Sequence, residues 1–150
     1  MLITLANVLD LAKACKVYSD SPMYAKDGKY RVLQSDVSFE LSNKQYLHIQ
    51  KGMWWDENSI PWVFQWAFPK SGMYAVPALV HDALYYNTTT TQKFADNEFK
   101  YWMKAVDVNP FQLKFRYTTV RMFGGSYWSA NVKNPSARCL HNRKLIQIEK

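Results

Sequence analysis

The residues with the most chemistry in them are the pair His81-Asp82, set in Ala78-Leu79-Val80-His81-Asp82-Ala83-Leu84-Tyr85-Tyr86. On a helix His81 and Tyr85 are four apart and share a face, while Asp82 projects about 100° round from His81. Asp96 follows one connection later in Ala95-Asp96-Asn97-Glu98-Phe99-Lys100-Tyr101-Trp102-Met103, which reads as a second helix. A short connection makes two helices antiparallel neighbours, so Asp96 can face His81 across the pair. A carboxylate bonded to one imidazole nitrogen fixes the tautomer and leaves the other nitrogen to act as a base. The same pair sealed in a core is a structural knot, and a histidine beside acids is also a metal ligand. All three readings stand at this point.

Arg121 carries a charge that can pair with Asp96 or Asp82, or hold a phosphate. Upstream, Asp56-Glu57-Asn58-Ser59-Ile60-Pro61 offers Asp56 to brace a turn or bind a cation, and Ser59 to cap a short helix at Pro61. His48 lies in a strand and His141 near the end of the chain. Neither has a partner at ligand spacing, so both read as incidental.

These side chains need elements to place them. Leu2, Leu5, Val8, Leu9, Ala12 and Cys15 recur three and four apart, which predicts an amphipathic helix over residues 2–16. Strands are predicted over 30–34, 36–41 and 45–50, the last two joined by Ser42-Asn43-Lys44, as an antiparallel meander. From Lys51 to Pro77 glycines and prolines separate Trp54, Trp55, Trp62, Phe64, Trp66, Phe68 and Tyr74. This is an aromatic loop that must pack under something or form an interface, with a short helix predicted over 61–68.

Pro77 suits the first turn of the His81 helix, which runs to about Tyr86, and the four threonines 88–91 make the turn, with Thr90 or Thr91 as the next cap. Phe99, Met103 and Val106 bury the Asp96 helix, and Asp107 to Pro110 ends it. A third helix is predicted from Phe111 to Phe123, stopped by Gly124-Gly125, followed by a basic tail from Ser129 with a last strand over 145–148. The expected fold is α+β and a single domain: an N-terminal helix and small antiparallel sheet, then the aromatic loop and about three packed helices.

A chain of 150 residues is long enough to bury one core, and 48% hydrophobic with 16% aromatic residues excludes a disordered chain. Cys15 and Cys139 belong to no metal or redox spacing and read as buried thiols of a reducing compartment, with a single disulfide between them as the alternative. No apolar run approaches the ~18 residues of a membrane span, and the N-terminus lacks a basic signal region, so the expectation is a soluble, unexported protein. Lys plus Arg against Asp plus Glu is 6 to 5 in residues 1–50, 4 to 5 in 51–100 and 9 to 2 in 101–150. The last third thus supplies the net charge of +7, a surface for nucleic acid, phospholipid headgroups or an acidic partner, or a solvated face.

Taken in order, Lys51-Gly52-Met53, Asp56 to Pro61, His81-Asp82-Ala83-Leu84-Tyr85, Ala95-Asp96 with Phe99, and Val120-Arg121-Met122-Phe123-Gly124 with Trp128 form a specific set. It resembles a domain-of-unknown-function family common in tailed-bacteriophage genomes and prophages. That pattern reads K-G-F-x-x-D-x-x-S-[IV]-P, H-D-x-L-Y, A-D-x-x-F and V-R-x-F-G-x-x-x-W. The resemblance covers roughly residues 45–128, with 129–150 as a basic tail. It implies a phage protein, in the host cytoplasm during infection or in the virion, and no particular reaction.

A more distant resemblance supplies chemistry. Secreted A-two-type phospholipases place H-D-x-x-Y on one helix and an Asp on an antiparallel one, and His81, Asp82, Tyr85 and Asp96 are similar to that arrangement. It implies His81 as general base, Asp96 fixing its tautomer, Tyr85 orienting Asp96, and Asp82 with Asp56 holding Ca²⁺. The bracing disulfides and the glycine-rich calcium loop of those enzymes are absent here. HD-type phosphohydrolases, with Zn²⁺ or Mn²⁺ among His81, Asp82, Asp56 and Asp96, are similar only in the dipeptide.

Two function classes follow. One is a small phage hydrolase of an ester or amide in a lipid or envelope substrate. The other is a non-catalytic virion component or host-interaction protein whose partners are virion proteins, with nucleic acid a further partner for the basic half.

Overall fold

The computed structural model describes residues 1–10, 24–27, 30–55 and 74–150. The fold is α+β. Its strands are β1 (Leu2–Ile3), β2 (Tyr24–Asp27), β3 (Tyr30–Leu33), β4 (Val37–Glu40), β5 (Tyr46–Ile49), β6 (Trp54–Trp55) and β7 (Ile146–Glu149). Its described helices are α1 (Ala75–Asn87), α2 (Gln92–Ala105), α3 (Pro110–Lys133) and α4 (Ala137–Lys144). One sheet has the order β1-β4-β5-β7 and the other β2-β3-β6.

The first sheet follows from strict alternation. Val37, Phe39, Leu47 and Ile49 are buried, while Ser38, Glu40, Tyr46 and His48 fall on the other face. Lys44 takes the left-handed conformation (φ 67) that the tight β4–β5 turn requires. β7 pairs antiparallel with β5, Ile148 opposite Leu47, so the end of the chain completes the sheet. The predicted meander holds for β4 and β5 but not for β3, which pairs instead with β2 and β6. Gly52, at φ 94, makes the turn that carries the chain from the first sheet to β6.

The N-terminal expectation is corrected in part. Leu2 and Ile3 are not helical: they pair in parallel with Ser38 and Phe39, and Asn7 fastens the bend by donating to the Leu2 carbonyl while accepting from the Thr4 N–H. Helix begins only at residue 8, and the rest of the predicted 2–16 helix, Cys15 included, lies outside the described residues. So does the predicted helix over 61–68. Cys139 is a buried free thiol, as expected.

α1 is the centre of the molecule. All its residues but Tyr86 are buried, because the other helices and the edges of β6 and β7 surround it. Thr91 caps α2 by accepting from the Phe94 N–H, and α2 turns Phe99, Trp102 and Met103 inward. Trp102 meets Phe39 edge to face, centroids 5.4 Å apart, which joins α2 to the sheet. Glu98 is fully buried and accepts from the backbone N–H and hydroxyl of Ser42, which clamps α2 to the β4–β5 turn. Burial pushes its pKa upward.

α3 begins at the expected place, with Asn109 as cap and Pro110 at the first position, but it does not stop at Gly124-Gly125. It continues to Lys133, and the predicted tail is a fourth helix, α4, capped by Ser136. Neither glycine terminates the helix, and only Gly124 is required by packing. A Cβ on Gly124 would collide with the Tyr85 hydroxyl, whereas one on Gly125 meets only Gln92 Oε1 at 3.9 Å.

Among the described residues, no helix is long and apolar enough to cross a membrane. Alanine favours a helix interior over glycine by about 1 kcal/mol. Gly125→Ala should therefore gain up to about 1 kcal/mol in urea unfolding. Gly124→Ala should lose about 1–2 kcal/mol, because Tyr85 must move. Equal gains in both variants would show that α3 does not press on Tyr85.

Candidate active site: a carboxylate shared by three helices

The sequence of α1 puts His81 and Tyr85 one turn apart, and α2 puts Asp96 opposite them. Asp96 is completely buried. Its Oδ1 accepts the Tyr85 hydroxyl at 2.7 Å and faces His81 Nε2 at 3.0 Å. Its Oδ2 accepts from Arg121 Nη1, on α3, at 2.6 Å. One carboxylate is thus satisfied by donors from α1 and α3 while it sits on α2, which is the condition under which a buried charge is tolerated.

Each donor is itself held. Gln92 Nε2 approaches the Tyr85 oxygen at 3.4 Å, and the Tyr85 ring meets Trp128 edge to face at 5.2 Å. The His81 ring is packed between Tyr85 at 4.3 Å and Phe99 at 4.8 Å. Asn131 donates to the Tyr85 carbonyl at 3.0 Å, and Arg143 reaches the Tyr86 carbonyl at 2.8 Å and the Asn131 carbonyl at 2.6 Å. The end of α1 is therefore laced to α3 and α4.

His81 is 3% exposed. With Asp96 accepting at Nε2, the ring takes the tautomer that carries its hydrogen there. Nδ1 then lies 3.7 Å from Asp82 Oδ1, close enough for that carboxylate to favour the protonated ring. Burial lowers the His81 pKa, but the Asp82 and Asp96 carboxylates raise it more, and the net shift is upward. Burial raises the Asp96 pKa, yet the hydrogen bonds from His81, Tyr85 and Arg121 outweigh it and hold the carboxyl below the ordinary range. Burial and the Asp96 charge push the Tyr85 phenol far upward, so it stays a donor. Bonding to Asp96 raises Arg121.

His81, Tyr85, Asp96 and Arg121 thus come together as the spacing predicts, with Asp82 beside Nδ1. Asp56 and Ser59 lie outside the described residues. Of the two anticipated calcium ligands only Asp82 is therefore described, and among the described residues no group of three or more His, Cys, Asp or Glu side chains could hold a metal ion. Gln92, Asn131 and Gly124 were not anticipated. Gly124 was readable, since Arg121, Gly124 and Trp128 share one face of α3 once the helix is carried through the glycines. His48, read as incidental, has partners on both ring nitrogens.

The two shifted groups give stability opposite dependences on pH. The upward shift of His81 stabilises fully below its ordinary value of 6.5 and is lost as pH rises through the folded-state value. The downward shift of Asp96 stabilises above its ordinary 3.8 and is lost as pH falls through its folded-state value. Urea unfolding from pH 3 to 9 should therefore show the advantage of the wild type over His81→Gln shrinking above 6.5. An advantage that grows with pH would mean that the imidazole is buried neutral.

The family described as "Protein of unknown function (DUF1353)" matches residues 31–120, a span that contains His81, Asp82, Tyr85 and Asp96 and ends one residue before Arg121. No curated protein and no solved structure matches the chain. With more than half of its length matched, the chain belongs to the DUF1353 family.

Proposed function

We propose that this is a bacteriophage-borne hydrolase in which His81 activates water against an ester or amide of a lipid or cell-envelope substrate. The observation that carries the reading is the division of labour on the imidazole. Nε2 is fixed by Asp96 at 3.0 Å, while Nδ1, on the other side of the ring, faces the Asp82 carboxylate at 3.7 Å and is the nitrogen left to exchange a proton. Water at Nδ1 gives a proton to that nitrogen as its oxygen attacks the carbonyl carbon, and Asp96 stabilises the imidazolium, which then returns the proton to the leaving oxygen or nitrogen as its bond to that carbon breaks. Tyr85 and Arg121 act through Asp96, keeping it ionised and oriented. A cation such as Ca²⁺ at Asp82 and Asp56 would supply polarisation of the carbonyl.

The outer surface supports a substrate in an anionic assembly. Residues 108–148 contain seven Lys or Arg, of which Arg116 is buried and Arg121 is paired with Asp96, and no Asp or Glu. On the same stretch Phe111, Met122 and Tyr127 are exposed by 78%, 69% and 69%. Cations beside exposed apolar side chains suit a surface with charged headgroups over an apolar layer better than they suit a nucleic acid backbone alone.

A second reading rests on the 3% exposure of His81. On this reading the network is a structural lock, and the protein is a non-catalytic phage component, in the virion or the infected cell, that uses the same surfaces to bind virion proteins. Hydrolysis of mixed lipid vesicles and of peptidoglycan separates the two. His81→Ala should lose at least about 100-fold in rate, and Asp96→Asn on the order of 10³- to 10⁴-fold, with KM little changed. The rate should rise with pH through a midpoint above 6.5 as His81 sheds its proton. No hydrolysis by the wild type, with a sharp fall in melting temperature for His81→Ala, would establish the lock.

A further inference from the structure

The outer face of the first sheet carries a second histidine cluster with no part in the His81 network. Ser38 on β4 stands directly opposite His48 on β5, and their side chains meet with Ser38 Oγ 2.6 Å from His48 Nδ1. On the other side of the ring, Nε2 lies 3.3 Å from Glu149 Oε2 on β7. Tyr46, two residues along β5, stacks on the imidazole at 6.3 Å with an interplanar angle of 18°. The His48 and Glu149 side chains are 36% and 65% exposed, so the cluster is open to solvent.

One hydrogen bond and one charge contact flank the ring: the Ser38 hydroxyl meets Nδ1, and the Glu149 carboxylate stands beside Nε2. The carboxylate favours the tautomer with the hydrogen on Nε2, in which Nδ1 offers its lone pair to the Ser38 hydroxyl. This is a serine, a base and an orienting carboxylate in series, with the two ring nitrogens exchanged relative to the serine hydrolase pattern. A structural role explains little here. None of the three side chains contributes to the core, and an exposed ion pair is worth at most about 1 kcal/mol.

We propose that Ser38 is a nucleophile, activated by His48 and accepting acyl groups from ester substrates. In the acylation step Oγ bonds to the acyl carbon as its proton passes to Nδ1. The bond from that carbon to the leaving oxygen then breaks, and the leaving group takes the proton from the imidazolium. Water releases the acyl group by the same route in reverse. β4 and β5 are both interior strands, and their backbone N–H groups are spent in the ladders. The developing oxyanion is therefore stabilised mainly by solvent. This restricts the substrate class to acyl esters whose leaving group is already a weak base.

p-Nitrophenyl acetate tests this on the full chain, with burst release of nitrophenolate followed optically and the acetylated residue located by peptide mass mapping. Acetylation at Ser38 is expected, abolished in Ser38→Ala and at least about 100-fold slower in His48→Gln. Glu149→Gln should slow the burst with the melting temperature unchanged, since the residue acts by positioning His48. The acetyl group found on Ser38 keeps this result separate from the function proposed above, in which water attacks directly and no acyl-enzyme forms. No acetylation at Ser38, acetylation confined to lysines, or an equal rate in His48→Gln would each overturn the proposal.

Discussion

Everything in the helical half of this protein depends on the ionised carboxylate of Asp96 being buried and satisfied. An uncompensated charge in a protein interior costs several kcal/mol, and removing one partner of a buried pair typically costs about 3–5 kcal/mol. Asp96 lies on α2, takes hydrogen bonds from Tyr85 and His81 on α1, and is closed off by Arg121 on α3. The three helices cannot shift against one another without stranding that charge. The hydrophobic contacts hold the helices together, and the carboxylate selects which arrangement of them is native.

That requirement accounts for features that otherwise look unrelated. Tyr85 must reach Asp96 with its hydroxyl, so α3 has no room for a Cβ where it passes over that hydroxyl, and Gly124 stands there in mid-helix. Arg121, one turn earlier on α3, is carried to Oδ2 by the same approach. The sheet plays its part through α2, with Trp102 against Phe39 and Glu98 over Ser42, so the carboxylate is positioned from the sheet side as well. Two charged groups, Asp96 and Glu98, thus point in opposite directions from one helix. Hydrogen bonds hold the first ionised, while burial shifts the second toward its neutral form.

Much of this was legible in the sequence, and the failures have physical causes. The strands β4 and β5 declared themselves by alternation, and α1 and α2 by length, capping residues and a threonine turn. The partnership of His81, Tyr85 and Asp96 followed from helical spacing and a short connection. Gly124-Gly125 misled because glycine marks both helix ends and close approaches, and only the neighbouring Tyr85 decides between them. Leu2 fits a helical stripe, yet the open edge of β4 captured it with Ile3 as a strand, a long-range pairing that no local pattern reports. β7 completing the first sheet and Ser38 facing His48 are register facts of the same kind. They depend on which strands meet rather than on what each strand is.

The central claim is that Asp96 holds His81 by Nε2 and leaves Nδ1 as the basic atom. Nitrogen-15 NMR of the imidazole, followed over pH and assigned with His81→Gln, tests it most directly. The account predicts that His81 stays doubly protonated past its ordinary 6.5 and then loses the Nδ1 proton, leaving the Nε2–H tautomer. A neutral ring carrying its proton on Nδ1, or a titration at or below 6.5, would contradict it.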